Sequence, residues 1–214
     1  MTIFITRKLN PDGALSRWAT QTGNVIIGRS FLRFTAVPFT VPEDVDWWFF
    51  YSVRAVEFGI GGIGRAPGGV RLAALGAGTA TALRKIAGRV DFCGNGDPMQ
   101  VAADFAGVAA GQRVFFPRAR QSRLSVQTAL ADRLTVLDAV CYDNVAVPVT
   151  EPVQADVFIF TSPLNAGAYL GRQPLPEGVR VLAIGPSTAA ALLKRGIACE
   201  WPAEPSEAGL AGLL

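Results

Sequence analysis

Hydroxyl and guanidinium groups beside glycine-bearing turns are the side chains of this sequence with chemistry to offer. Leu182 to Leu192 reads LAIGPSTAAAL, and Ala74 to Leu83 reads ALGAGTATAL. In each, an apolar run stops at a glycine, Gly185 or Gly76, and hydroxyls follow at once: Ser187 and Thr188 in the first, Thr79 in the second. A strand that ends in a Gly turn and enters a helix aims free N–H groups and the positive dipole end at one point, which suits an anion. Ser52 in FYSVRA and Ser162 in FTSPLN occupy matching places upstream. Arg7 and Lys8 follow the first apolar run, and Arg118 to Arg123 (RARQSR) follows a later one. Guanidinium groups with backbone amides and hydroxyls suit a carboxylate-rich ligand, through charge-assisted hydrogen bonds. The plainer alternative is that the hydroxyls cap helices and the arginines are solvated.

Other chemistries find little support. The chain of 214 residues has no His, so the commonest general base and transition-metal ligand is missing. Cys93, Cys141 and Cys199 lack metal-ligand spacing and read as reduced, small buried hydrophobes. No carboxylate pair stands out, and no nucleophile has a base beside it. GAGT could open a dinucleotide fingerprint, but Thr81 stands where the third Gly belongs and Pro186-Ser187 replaces the second Gly in the twin stretch. A dispersed net charge of +3 gives no concentrated basic face for nucleic acid. No apolar run approaches the roughly 18–20 residues of a membrane span, and Met1 to Arg7 reads as a strand rather than a signal peptide.

The turns recur because the chain holds two copies of one unit. Gly76, Thr79, Ala80, Leu83 and Lys85 match Gly185, Thr188, Ala189, Leu192 and Lys194 at one constant spacing. Asp46 to Ala55 matches Asp156 to Asn165, and Ile3 to Arg7 matches Val114 to Arg118. Strand patterns fall at Thr2 to Thr6, Gly23 to Ile27, Trp47 to Tyr51, Val70 onward, Val90 to Phe92, Gln112 to Phe116, Leu134 to Ala139, Val157 to Phe160, Val179 onward and Ile197 to Trp201. Helical patterns lie between them, including Ser52 to Phe58, which is expected to fade into a flexible Gly61 to Gly64 connection. Phe34 to Phe39 and Cys141 to Val147, the latter bounded by Pro148, read as extended. Ser206 should cap a last helix from Glu207 to Leu214. Alternating strands and helices imply α/β, with parallel sheets flanked by helices in two similar domains. In such sheets ligands bind beyond the carboxyl ends of the strands, where the residues above collect.

With these residues assembled, the chain resembles the uroporphyrinogen-III synthase family. The likeness rests on ITRK (Ile5 to Lys8), FFYSVRAVE (Phe49 to Glu57), ALGAGTATAL, FFPRARQSR (Phe115 to Arg123), VCYDN (Val140 to Asn144), FIFTSPLNA (Phe158 to Ala166), LAIGPSTAAAL and PSEAGLAGLL (Pro205 to Leu214), in the family's order. It implies a discontinuous first domain of residues 1–33 and 148–214 and a second domain of 37–143. A two-stranded, hinge-like connector at about 34–37 and 142–147 would join them. The implied reaction cyclises hydroxymethylbilane, with loss of water and inversion of ring D through a spiro intermediate. The substrate's pyrroles supply the electron push, so no cofactor or metal is expected.

The resemblance makes Tyr142 the proton donor to the leaving hydroxyl. It makes Thr79, Ser162, Ser187 and Thr188 substrate-binding hydroxyls, with Ser52, Arg7, Arg118 and Arg123 as further carboxylate partners. Val53 departs from the family's frequent turn-forming residue, where the second copy has Pro163, and the short C-terminus is expected to lack part of the last helix. A cytoplasmic monomer is expected. Transient contact with the preceding pathway enzyme is left open. The alternative is a two-lobed, non-enzymatic binding protein for a small carboxylate-rich anion.

Overall fold

The computed structural model describes residues 1–66, 68–147 and 151–214. Pro148, expected to bound the second extended stretch and open the returning part of the first domain, lies outside them. The chain divides into two compact units, Met1–Arg33 with Val145–Leu214, and Phe34–Asn144.

In the first unit, β1 (Thr2–Ile5), β2 (Val25–Gly28), β9 (Val157–Phe160) and β10 (Arg180–Ala183) form an all-parallel sheet in the order β10-β9-β1-β2. Successive strand side chains point to opposite faces, so each apolar strand feeds two cores. Phe4, Phe158, Phe160, Val181 and Ala183 pack against Ala166 and Tyr169 of α6 (Pro163–Leu170) and Ala189 and Leu192 of α7 (Pro186–Leu193). Ile3, Ile5, Val157, Ile159 and Leu182 pack on the other face with Leu15 of α1 (Ala14–Thr22) and Leu210 of α8 (Glu207–Ala211).

The second unit repeats the scheme. Its sheet has the order β3-β8-β7-β4-β5-β6, from β3 (Leu32–Ala36), β8 (Thr135–Ala146), β7 (Arg113–Ala119), β4 (Trp47–Phe50), β5 (Arg71–Ala74) and β6 (Phe92–Cys93). Trp48, Phe50, Leu72, Ala74 and Phe115 face α2 (Val53–Ile63) and α3 (Ala77–Ala87). Trp47, Phe49, Ala73, Val114 and Phe116 face α4 (Pro98–Ala109) and α5 (Ser125–Leu130).

The internal repeat holds down to strand register. Ile3 pairs with Val157, as Val114 pairs with Trp47, and Val157 pairs with Arg180, as Trp47 pairs with Arg71. An aspartate at the start of each central strand also recurs. The Asp156 carboxylate accepts the Thr2 N–H (2.7 Å) and the Asp46 carboxylate accepts the Arg113 N–H (2.9 Å). Each fixes the entry of the neighbouring strand.

Several local expectations change. Gly61 to Gly64 is not a loose connection, because α2 runs on to Ile63 and stops at Gly64, whose φ of 84° is left-handed. Burial of Ala55, Val56, Gly59 and Ile60 outweighs the weak helix propensity of glycine. Ile197 to Trp201 forms no strand but a single bridge, Leu182 with Glu200, and Pro202 then has no N–H to extend it. Val90 and Asp91 stay outside β6, where the Asp91 carboxylate, rather than a ladder carbonyl, accepts the Leu72 N–H (2.7 Å). Leu134 to Ala139 and Cys141 to Val147 merge into the long β8, and β7 extends through Ala119, so the basic loop starts later than expected. Cys141 is buried, whereas Cys93 is exposed and Cys199 intermediate, so burial does not explain all three thiols.

Candidate functional site

The carboxyl ends of β4, β7 and β8 deliver polar side chains to one pocket of about 280 Å³ in the second unit. Tyr51, Ser52, Arg118, Ser122, Arg123, Ser125 and Tyr142 line it, with Ala55, Leu75, Pro98 and Ala119 as its apolar wall. Four residues singled out from the sequence therefore share one cavity: Ser52, Arg118, Arg123 and Tyr142.

Tyr142 lies near the end of β8 and is only 6% exposed. Its ring stacks on Phe58, with centroids 5.1 Å apart and planes 16° apart, and Phe34 packs at a tilt beside it. Its hydroxyl lies 3.2 Å from Ser52 Oγ. Burial pushes the phenol above its ordinary range; the Ser52 hydrogen bond pulls it back, the Cys141 thiol pushes it up and Arg54 pulls it down. The net shift is upward, so Tyr142 keeps its proton at neutral pH. Ser52 is itself the N-cap of α2, where its Oγ accepts the Ala55 N–H (3.2 Å). Ser52 thus caps α2 and lines the pocket at once.

Arg118 enters from β7 with 18% of its side chain exposed. Its Nη2 meets Asp138 Oδ1 at 2.8 Å and its Nη1 donates to the Ala119 carbonyl at 3.3 Å. Its Nε has no partner among the described residues. The other Asp138 oxygen accepts Gln127 Nε2 (2.9 Å), and the Gln127 N–H donates to the Tyr51 hydroxyl (3.1 Å). Arg123 is exposed, and Leu124 after it holds a left-handed φ of 57°, a strained conformation for leucine at the pocket's edge.

The two glycine turns differ from expectation in one respect. Neither Thr79 nor Ser187 nor Thr188 caps a helix: the N-cap residues of α3 and α7 are Gly76 and Gly185, which offer no side-chain cap. The glycines sit in close packing, since a Cβ on Gly76 would lie 3.2 Å from Gly96 Cα and one on Gly185 would lie 3.0 Å from Pro205, closer than most Cβ contacts. Thr79 and Thr188 are buried in the first helical turns, and Ser187 is exposed. In α3 the Ala77, Gly78 and Thr79 N–H groups precede the first intrahelical bond, from Ala80 to Gly76, whereas in α7 Pro186 has no N–H and the Thr188 N–H donates to the Gly185 carbonyl (3.1 Å), which leaves that of Ser187.

In the first unit Arg7, Ser162 and Ser187 with Thr188 follow the adjacent strands β1, β9 and β10 along one sheet edge. Arg7 is ion-paired with Glu207 of α8, whose second oxygen accepts the Leu15 N–H (3.4 Å). Ser162 caps α6 by accepting the Asn165 N–H (3.1 Å). Asn165 Oδ1 in turn accepts the Phe31 N–H (2.9 Å).

Sequence reasoning passed over Tyr51, Gln127 and Asp138. Asp138 is the one charged residue in the run Thr135–Val140, and such an interruption of a strand was the available signal. Tyr51 stands directly before Ser52 but reads as one more strand aromatic. Among the described residues no group of three or more His, Cys, Asp or Glu could hold a metal ion.

The family model described as Uroporphyrinogen-III synthase HemD matches residues 22–212. The crystal structure of uroporphyrinogen-III synthetase from Helicobacter pylori is similar over 99% of this chain and 97% of that one, with a TM-score of 0.77 and 20% identity. That of a mutant uroporphyrinogen III synthase from the extremely thermophilic bacterium Thermus thermophilus is similar over 100% of this chain and 96% of that one, with a TM-score of 0.59 and 17% identity. At these identities the likeness is one of fold. No curated protein matches significantly.

Proposed function

The chain belongs to the uroporphyrinogen-III synthase family, and we propose that it cyclises hydroxymethylbilane to uroporphyrinogen III, with loss of water and inversion of ring D. The observation that carries the chemistry is the pocket that joins a buried, protonated phenol, Tyr142, to Ser52 and two guanidinium groups.

Tyr142 gives its proton to the hydroxyl of ring A as the pyrrole nitrogen's lone pair expels it, so the C–O bond breaks and water leaves. The α-carbon of ring D attacks the resulting electrophile, the spiro intermediate rearranges, and the proton finally lost from the closing ring returns to the phenolate. Arg118 and Arg123 meet acetate or propionate carboxylates. Asp138 holds Arg118 in place while leaving Nε unspent. Thr79, Ser187 and Thr188, with the first-turn amides of α3 and the Ser187 amide, and Ser162 hold further carboxylates. Arg7 does so on exchanging Glu207 for substrate. Fixing a flexible tetrapyrrole in one reactive conformation supplies most of the acceleration.

On this reading residues 1–33 with 148–214 and 37–143 are the two domains, and about 34–37 and 142–147 are the connector. The protein acts as a cytoplasmic monomer on a small-molecule substrate. No helix among the described residues is long and apolar enough to cross a membrane.

Freshly made hydroxymethylbilane incubated with the purified protein, then oxidised and resolved by isomer, provides the test. Isomer III is expected. Isomer I alone, at the spontaneous rate, refutes the synthase reading and favours a non-enzymatic anion binder.

A further inference from the structure

Tyr51 lines the same pocket as Tyr142 but has no role in the mechanism above. Its ring is fixed from two sides, edge-on to Phe49 (centroids 5.7 Å apart) and tilted on Phe116 (5.9 Å). Its oxygen already accepts the Gln127 backbone N–H at 3.1 Å. That leaves the phenol's own proton to be donated, and no acceptor for it is found among the described residues. Tyr142 differs, because in the Ser52–Tyr142 contact either oxygen can be the donor, and one of the two protons is spent there.

Building on the synthase reading, we propose that Tyr51 is a second catalytic residue, whose hydroxyl donates a hydrogen bond to the departing oxygen of ring A while Tyr142 transfers the proton. No bond to Tyr51 is made or broken; its proton stays on the phenol and lowers the charge that builds on the leaving oxygen. The surroundings suit that role. Burial is the strongest influence on this phenol and raises its pKa, so it stays protonated, while the Gln127 and Val126 backbone and Arg118 moderate the rise. The second copy of the repeat has Thr161 at this position, and its hydroxyl is spent on the Thr6 carbonyl (3.1 Å). The free donor is therefore particular to the second unit.

The test compares Tyr51→Phe, Tyr142→Phe and the double variant in steady-state turnover of hydroxymethylbilane by the full chain. Tyr51→Phe is expected to lower kcat about 10-fold to 100-fold with KM within about twofold, as for loss of a group acting in the transition state. The double variant should lose less than the product of the single losses, because both phenols act on one oxygen. Fluorinated tyrosine at position 51 keeps the Gln127 hydrogen bond and the ring packing, so it serves even if Tyr51→Phe folds poorly. It should move the alkaline limb of the pH–rate profile to lower pH. Unchanged kcat in Tyr51→Phe, a rise in KM alone, or an unmoved alkaline limb overturns the role of Tyr51 while the wild type still makes isomer III. A wild type that makes only isomer I overturns the synthase reading itself.

Discussion

Replacing Tyr142 by Phe removes one oxygen and separates its chemistry from its packing. The ring keeps its stack on Phe58 and its contact with Phe34, and Ser52 keeps the Ala55 N–H as its cap partner. The structural loss is one hydrogen bond of 3.2 Å, worth about 1 kcal/mol net. For a unit of about 100 residues that lowers Tm by roughly 4–8 °C. The catalytic loss is far larger, because a positioned proton donor contributes about 10²–10⁴ in rate, or roughly 3–5 kcal/mol of barrier. The variant should therefore melt a few degrees lower, bind substrate with KM within about threefold, and form isomer III at least about 100 times more slowly. Ser52→Ala is the companion: it loses both the cap and the phenol's neighbour, so its cost in Tm should exceed that of Tyr142→Phe while its cost in kcat stays smaller. Turnover of Tyr142→Phe within about threefold of wild type would refute the assignment of the acid, whatever its melting temperature.

Alkaline pH should unfold the protein through Cys141. Burial pushes its thiol from 9.0 up to about 12. The folded value lies above the unfolded one, so the contribution is intact below pH 9 and is lost as pH rises toward about 12. Between pH 8 and 10.5 the thiol's share of the loss is about 2 kcal/mol; the buried phenols, also raised, add a loss common to both proteins, so urea titrations at the two pH values should show a loss about 2 kcal/mol larger in wild type than in Cys141→Val, and equal losses in the two would refute it. Two glycines should respond in opposite directions to alanine. A Cβ on Gly94 would lie 2.6 Å from the Leu75 carbonyl oxygen, backbone that cannot step aside, so Gly94→Ala should cost about 1–3 kcal/mol. Gly78 in α3 has nothing within 4 Å, so Gly78→Ala should gain about 0.4–1 kcal/mol; thermal melts that rank the two variants the other way would contradict the packing.

The sheets were legible because fully buried parallel strands leave an unmistakable mark, four or more consecutive apolar residues such as Trp47–Phe50 and Val157–Phe160. The repeat was legible because the matching turns share their glycines, and Gly76 and Gly185 both sit tightly against neighbouring chain. What failed were features set by partners distant in sequence. Helix α2 crosses Gly61 and Gly62 because its other face is buried, and no local pattern announces that. Asp91 replaces a ladder partner of Leu72 from nineteen positions away, and Leu124 takes a left-handed conformation that leucine rarely signals. At the site, four of the residues named from the sequence line one pocket, but the Gln127–Asp138 support behind Arg118 joins α5 to β8 and could not be read from either alone.

The register of the two sheets makes Arg7 and Arg118 the same position of the repeat, since Ile3 and Val114 pair equivalently with Val157 and Trp47. Both arginines meet a carboxylate, yet Glu207 comes from the helix α8 and Asp138 from the strand β8. The two units thus share the arginine at the strand end and differ in the element whose acid holds it. The surroundings differ too. In the second unit the equivalent strand ends carry Tyr51 and Tyr142 around an open pocket, whereas in the first Thr161 stands at the place of Tyr51 and bonds inward to Thr6. Protonated phenols can assist a leaving hydroxide, and a threonine already committed to a carbonyl cannot. On the proposed mechanism the acid chemistry therefore belongs to the second unit, whose strand ends carry the tyrosines.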